Sequence, residues 1–281
     1  MRRGFVRAFV AAICVSGSTA CSLITLDGLV GDGGTSADAG DAGVDALSDV
    51  ASKDSGVSDA PGDAPAADGS WCALNAPTAF FCNDFDTDGF TRVRREESLG
   101  GTMKLVTGDA LSAPNAALAD CPHVASDLQS AEGVMLPGAT TARATVATSV
   151  RIDKMNTVPD KGIEILAVIF RPSAGVLAQV GVGLGTDRKP YAFRYQNTPD
   201  NYVTLGVGST DVPVGAWARV VLTIDGVAGK ATATFDGAPI ITNVSYAVIP
   251  SGEVSLVFGA FATAGHNGWK IRHDNIVFDP K

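Results

Sequence analysis

Imidazole is scarce in this chain: three histidines, His123, His266 and His273, are scattered over 281 residues. No H-E-x-x-H and no G-x-S-x-G occurs, which excludes the zincin and α/β-hydrolase arrangements of metal and nucleophile. Gly181-Val182-Gly183-Leu184-Gly185 is rich in glycine, but no helix pattern follows it, so it lacks the context of a nucleotide loop. Residues 71–281 carry no basic stripe, and nucleic acid is excluded as a partner. Between Ser22 and Ser70 there is no glutamate, no aromatic residue and a single lysine, Lys53, among ten aspartates and many Ala, Gly, Ser and Val. Such a stretch has too little apolar surface to offset the entropy of ordering, and disorder is expected there. The formal charge divides accordingly: −9 in this tether, +3 before it and −3 in the remaining 211 residues. The acidic balance therefore belongs to the tether.

What precedes the tether reads as an export signal. Residues 1–20 hold Arg2, Arg3 and Arg7, an apolar run from Ala8 to Val15, and then Gly17-Ser18-Thr19-Ala20. The apolar run is too short to span a bilayer. Ala20-Cys21 resembles the cleavage site of a bacterial lipoprotein, and that resemblance implies lipidation of Cys21 and a membrane partner held through the N-terminal lipid. Ser18 stands where that family usually has leucine, and Ser18-Thr19-Ala20 equally fits ordinary signal peptidase, which gives a secreted protein as the alternative. Ser22 is not the aspartate of an inner-membrane retention signal, so the expected location is the outer membrane or cell surface. As a random coil the tether would span on the order of 40 Å, enough to lift a domain off a membrane. The expected plan is a signal over 1–20, a lipid-anchored, disordered linker over 21–70, and one domain over 71–281.

That domain reads as all-β. Short alternating or β-branched runs are expected as strands at 79–85, 103–107, 142–152, 164–170, 176–184, 191–196, 202–207, 217–224, 231–235, 254–261 and 270–278. Thr198-Pro199-Asp200-Asn201, Asp225-Gly226 and Asp236-Gly237 carry hairpin chemistry. No window of 12 or more residues shows a helical stripe, and a sequential antiparallel sandwich is favoured over an α/β design.

Phe80-Phe81-Cys82-Asn83-Asp84-Phe85-Asp86 resembles the opening strand of the concanavalin A-like lectin and glucanase superfamily, which includes laminin G-like modules. Arg272-His273-Asp274-Asn275-Ile276-Val277-Phe278 resembles its closing strand, and Trp217–Asp225 with Thr232–Ile240 resembles its internal hairpin. The order signal, Asp/Ala/Gly spacer, Trp-Cys and Phe-Cys is also similar to surface lipoproteins of myxobacteria. The resemblance implies a jelly roll whose first and last strands lie side by side, with Phe81, Phe85, Ile276 and Phe278 on buried faces. It also implies a structural calcium ion near Asp274 and the opening strand. Asp84-Phe85-Asp86-Thr87-Asp88-Gly89 spells the start of a calcium loop, although its twelfth position is Arg95 rather than glutamate. Asp274, Asp84, Asp86 and Asp88 are the candidate ligands, with a solvated turn as the competing reading. Trp217 is expected to be a packing residue.

Glucanases of that superfamily place their carboxylates on one strand as E-x-D-x-x-E. Here the nearest run, Gly162 to Ile169, holds Glu164 alone, and one carboxylate cannot supply both catalytic roles. An enzyme is therefore not the expectation. Tyr191, Phe193 and Tyr195 alternate on one strand with Tyr202 at the start of the next, giving an aromatic row of the kind that stacks on sugar rings; Phe193 suits core, and Arg194 falls on the opposite face. Asn197, Asp200 and Asn201 at the adjoining turn are candidates for sugar hydroxyls. Cys72, Cys82 and Cys121 remain after export, and Cys72–Cys82 is the favoured disulfide because it closes a short loop and ties the domain's entrance to its first strand, with Cys82–Cys121 as the alternative. The expected function is noncatalytic binding of polysaccharide or glycan. A protein-contact module and a diverged polysaccharide hydrolase or lyase are the competing readings.

Overall fold

The computed structural model describes residues 70–87, 89–122, 128–136, 138–262 and 265–281. The signal, Cys21, the tether up to residue 69 and Asp88 lie outside the described residues.

Two antiparallel sheets of eight strands each form a sandwich. The first sheet contains β1 (Phe81–Asn83), β3 (Thr102–Thr107), β4 (Asn115–Cys121), β7 (Arg143–Lys154), β12 (Trp217–Asp225), β13 (Lys230–Phe235), β14 (Ala238–Ser245) and β16 (Trp269–Pro280). Its order is β14-β13-β12-β7-β16-β4-β3, with β1 on β16. The second contains β2 (Arg94–Glu97), β5 (Gln129–Met135), β6 (Thr140–Thr141), β8 (Ile163–Ser173), β9 (Val176–Leu184), β10 (Pro190–Asn197), β11 (Asp200–Val207) and β15 (Gly252–Ala262). Its order is β11-β10-β9-β8-β15-β5-β2, with β6 on β15.

The two ends of the domain meet as expected: Phe81 pairs with Phe278, Cys82 with Val277 and Asn83 with Ile276. Phe81, Phe278 and Ile276 are buried. Phe85 is buried too, but it lies past the end of β1 in a turn with φ 63°, so that strand is shorter than its sequence pattern. Along β12, Ala218, Val220, Leu222 and Ile224 point into the core while Trp217, Arg219, Val221 and Thr223 point out. Trp217 is thus not a core residue. It lies half-buried on the outer face, and its indole Nε1 donates to the Asp109 carbonyl at 3.1 Å. Asp236 and Gly237 both have positive φ, 49° and 76°, which is the primed turn that a two-residue Asp-Gly hairpin requires.

Five strands escape the sequence pattern, and each has a reason. β4 reads Asn-Ala-Ala-Leu-Ala-Asp-Cys, poor in strand formers, yet it sits between β16 and β3 where small buried side chains fit. β2 is Arg-Arg-Glu-Glu at a sheet edge, where charge protects against unwanted pairing. β5, β6 and β14 are polar or interrupted by bulges and short runs. The only helix among the described residues is α1 (Trp71–Asn75), a single turn capped by Ser70. A disulfide between Cys72 and Cys82 ties it to β1, and the Arg219 guanidinium stacks over the Trp71 ring at 5.6 Å. Cys121 is free and buried.

Candidate functional site

Strand pairing decides which side chains share the outer face of the second sheet. On β9, Val180, Val182 and Leu184 belong to the core, so Gln179, Gly181 and Gly183 face out. Their partners on β10 are Tyr195, Phe193 and Tyr191. Glycine has a use at both central positions. A Cβ on Gly183 would lie 2.3 Å from Cζ of Tyr191, and one on Gly181 would lie 2.5 Å from Cζ of Phe193. The two rings therefore lie flat across β9, each seated on a residue without a side chain. The glycine-rich run that fails as a nucleotide loop is this seat.

Tyr202, paired with Tyr195 on β11, stacks on Phe193 with ring centroids 5.3 Å apart and planes within 10°. Phe193 is fully buried, but under the tyrosines of the outer face rather than in the sandwich interior. Tyr191 is half-buried and its hydroxyl donates to the Ile163 carbonyl at 3.4 Å. Burial raises the Tyr195 phenol above its usual range, and Asp200, which accepts its hydrogen bond, raises it further. The Tyr195 phenol therefore stays a protonated donor at neutral pH.

The turn asparagines do not join them. Asn197 accepts from the Leu177 amide at 2.7 Å and donates to the Gly175 carbonyl at 2.8 Å, so its side chain pins the β8–β9 turn. Asn201 pairs with Gln196, which places it on the other face of the sheet from the tyrosine row. The register separates Asn201 from the rings, whereas Asn197 shares their face but is taken up by the β8–β9 turn.

Glu164 is not alone. It faces out between Gly183 on β9 and Phe261 on β15, and its Oε2 accepts from Gln179 Nε2 at 3.3 Å. On β5 the outward residue is Glu132, and directly opposite on β2 stands Glu96. Burial pushes the Glu132 carboxyl well above the ordinary carboxylate range, and the negative charges of Glu164 and Glu96 push it further. Two arginines complete the cluster. Arg94 forms an ion pair with Glu96, and Arg171 on β8 donates to Ser255 Oγ at 2.8 Å. Arg171 lies within the fields of Glu253, Glu96 and Arg94, and burial lowers its guanidinium from the usual value. Sequence reasoning sought paired carboxylates along one strand; here each comes from a different strand, two of which it did not recognise.

A bulge of β15 backs this cluster. Phe258 pairs with Leu166 and Phe261 with Glu164, so two residues of β15 oppose one of β8. Gly259 in the bulge has φ 129° and sits opposite Glu132, and a Cβ there would come within 2.3 Å of the Ala131 carbonyl. From the core side, His273 Nε2 donates to the Gly259 carbonyl at 3.1 Å. Burial lowers this imidazole to about 4, so it is neutral and holds the bulge through one fixed tautomer.

The proposed metal ligands are placed differently. Asp274 Oδ2 accepts from the amides of Leu111 and Ser112, both at 2.9 Å, and Oδ1 accepts from Ser112 Oγ at 3.0 Å and the Asn275 amide at 2.8 Å. Burial raises its carboxyl to about 6 against these four hydrogen bonds. Asp84 accepts from the amides of Cys72 and Asp86, and Asp86 from the amide of Asn115. Among the described residues no three His, Cys, Asp or Glu side chains converge as a metal group would need. Of the candidate ligands that are described, all three accept from backbone amides, and Asp274 braces the 109–112 loop.

No protein-family model and no curated protein matches the chain. Solved structures do. It is similar to an endo-β-1,4-glucuronan lyase from Trichoderma reesei (TM-score 0.57, 20% identity, covering 73% of this chain and 96% of that one). It is similar also to alginate lyase vAL-1 from Chlorella virus (0.53, 10%, 73% and 100%) and to a glycoside hydrolase family 16 endo-glucanase from Bacteroides ovatus (0.51, 9%, 70% and 99%). The shared property is the fold. All three superpose on the sandwich at identities that establish jelly-roll architecture and leave the chemistry to the side chains of this chain.

Proposed function

We propose that the outer face of the second sheet binds a polysaccharide or glycan chain. The observation that carries this reading is the row of rings seated on Gly181 and Gly183 alongside half-buried hydrogen-bonding side chains. Sugar rings present apolar faces and equatorial hydroxyls, and this surface offers both complements: Tyr191, Tyr195 and Tyr202 to stack on, and Glu164, Gln179, Glu96, Arg94 and Arg171 to bond hydroxyls. The sequence supports export and a lipid on Cys21, which would hold this face at the outer membrane or cell surface on the end of an acidic tether. The test is binding of the purified protein to a panel of soluble polysaccharides. Tyr191→Ala and Glu164→Gln are expected to weaken binding at least tenfold, and Trp217→Ala, on the other sheet, to leave it unchanged. Equal binding by all four proteins would overturn the assignment.

A second reading, cleavage of the bound chain, is favoured by one observation: a glutamic acid whose carboxyl burial raises well above the ordinary range, beside two further carboxylates that raise it further. Glu132 would give its proton to the glycosidic oxygen as the bond to the anomeric carbon breaks. Glu164 would take a proton from the water whose oxygen forms the new bond, and solvent would return both groups to their starting states. Release of new reducing ends by the parent protein, lost in Glu132→Gln with binding retained, separates this reading from binding alone.

A further inference from the structure

The outer face of the second sheet is acidic. Glu132 on β5, Glu96 opposite it on β2 and Glu164 on β8 are joined there by two further carboxyl groups. Glu253 lies near the start of β15, whose Val254, Leu256 and Phe258 belong to the core, so it projects outward beside its partner Arg171. Asp200 stands two residues before Tyr202 on β11, on the side of the tyrosine row, and accepts a hydrogen bond from Tyr195. Among the described residues two arginines balance these five acids on the strands of the face, and both are engaged: Arg94 with Glu96, and Arg171 with Ser255 Oγ at 2.8 Å. With Glu132 set aside, acids still outnumber arginines two to one.

These carboxyl groups stand at the rings themselves. Glu164, Gly183 and Tyr191 occupy one row across β8, β9 and β10, and Gly183 has no side chain to separate the acid from the phenol ring. At the other end of the tyrosine row, Asp200 touches Tyr195. A sugar stacked on either tyrosine therefore meets a carboxylate at the edge of the ring. Carboxylates accept hydrogen bonds from sugar hydroxyls and from amines. Against the carboxylate of a uronic acid they set acceptor on acceptor and like charge on like charge, and such juxtapositions exclude a partner. We propose, on the basis of the polysaccharide reading, that the chain bound here is built of sugars without acid groups, neutral or amine-bearing, and that polyuronates are rejected. The charge of the face narrows the ligand to a class that the tyrosine row alone, which would stack on any sugar, leaves open.

Calorimetric titration of the purified protein with soluble glucan, mannan, galactan and chitosan oligomers, and with polygalacturonate, alginate and polyglucuronate oligomers, tests the selectivity at about 20 mM and about 500 mM sodium chloride. The tightest ligand is expected to be a neutral or amine-bearing chain, with every polyuronate at least about tenfold weaker at low salt and the gap smaller at high salt, where the charges are screened. Glu253→Lys, a change at an exposed position, should strengthen polyuronate binding several-fold and leave neutral chains unaffected. A polyuronate that binds as tightly as the best neutral chain would overturn the selectivity while leaving the polysaccharide reading in place. A gap that responds neither to salt nor to Glu253→Lys would also overturn it, because shape rather than charge would then be choosing the ligand. Binding of no chain of either class would remove the polysaccharide reading and the selectivity together.

Discussion

Replacing Glu132 by Gln should make the protein more stable at neutral pH and leave it unchanged near pH 4. The carboxyl of Glu132 is raised in the folded protein, so folding and proton binding favour one another: the stability that goes with the protonated form is whole below the unfolded value, roughly 4.3, and drains away as pH rises toward the folded value. While the unfolded chain is ionised and the folded one is not, the loss runs at about 1.4 kcal/mol per pH unit. Each such unit corresponds to roughly 3–6 °C in the unfolding midpoint of a domain this size. The charges acting on Glu132 are those of Glu164 from β8 and Glu96 from β2, while Arg94 pairs with Glu96 and Arg171 lies in the fields of Glu253, Glu96 and Arg94. Gln keeps the shape and cannot ionise. Thermal midpoints of parent and Glu132→Gln measured from pH 4 to 8 should coincide at the acid end and diverge steadily, and Glu96→Gln should reduce the divergence by removing one of the charges that raise Glu132. Parallel curves across the range would mean that Glu132 titrates as it does in water, and the case for a poised acid on this face would go with it.

On the acid side, His273 is held neutral with a value near 4, so its contribution is present above about 6.5 and lost as pH falls: about 3 kcal/mol in all, flattened in His273→Gln, read from the same midpoint curves. Gly183→Ala puts a Cβ 2.3 Å from the Tyr191 ring, and the displaced ring should cost about 1–3 kcal/mol in denaturant unfolding together with most of the polysaccharide affinity; a variant as tight and stable as the parent would refute the glycine seat. The Cys72→Ser, Cys82→Ser pair opens a loop of sequence separation 10 and should lose a little under about 3 kcal/mol in the same assay. Cys121, whose thiol burial pushes up to about 12, should resist alkylation, followed by mass spectrometry, until the protein unfolds.

The sandwich was legible because its pattern is local. Val176–Leu184 alternates from Ala178 onward and forms β9 within those bounds, and the opening and closing runs pair as a jelly roll should. The tyrosine row was legible for the same reason, since alternation along one strand is enough to put Tyr191 and Tyr195 on one face. Whatever depended on register was not. Asn201 lies next to Tyr202 in sequence and on the opposite face in the sheet. The partners of Glu164 arrive on β5 and β2, strands whose polar and charged residues hide them from propensity, and only pairing through β15 brings Glu132 and Glu96 to it. Asp274 matched a motif for calcium, and that motif does not show that its oxygens also accept from the amides of Leu111, Ser112 and Asn275.

The bulge explains why the carboxylates interact at all. β15 runs between β8 and β5, and in a regular ladder an outward side chain of β15 would stand between Glu164 and Glu132. At this point the strand offers Gly259, which has no side chain, followed by Ala260, which turns into the core. The Glu164 charge acts on Glu132, and that repulsion is part of what raises the Glu132 carboxyl. Gly259 in turn holds an angle that no other residue adopts without strain, secured by a hydrogen bond from a histidine that burial keeps neutral. The polar chemistry of the outer face thus rests on the packing of the inner one. A substitution at Gly259 or His273 should disturb the titration of Glu132 without touching it, which a purely local account of the carboxylate cluster does not predict.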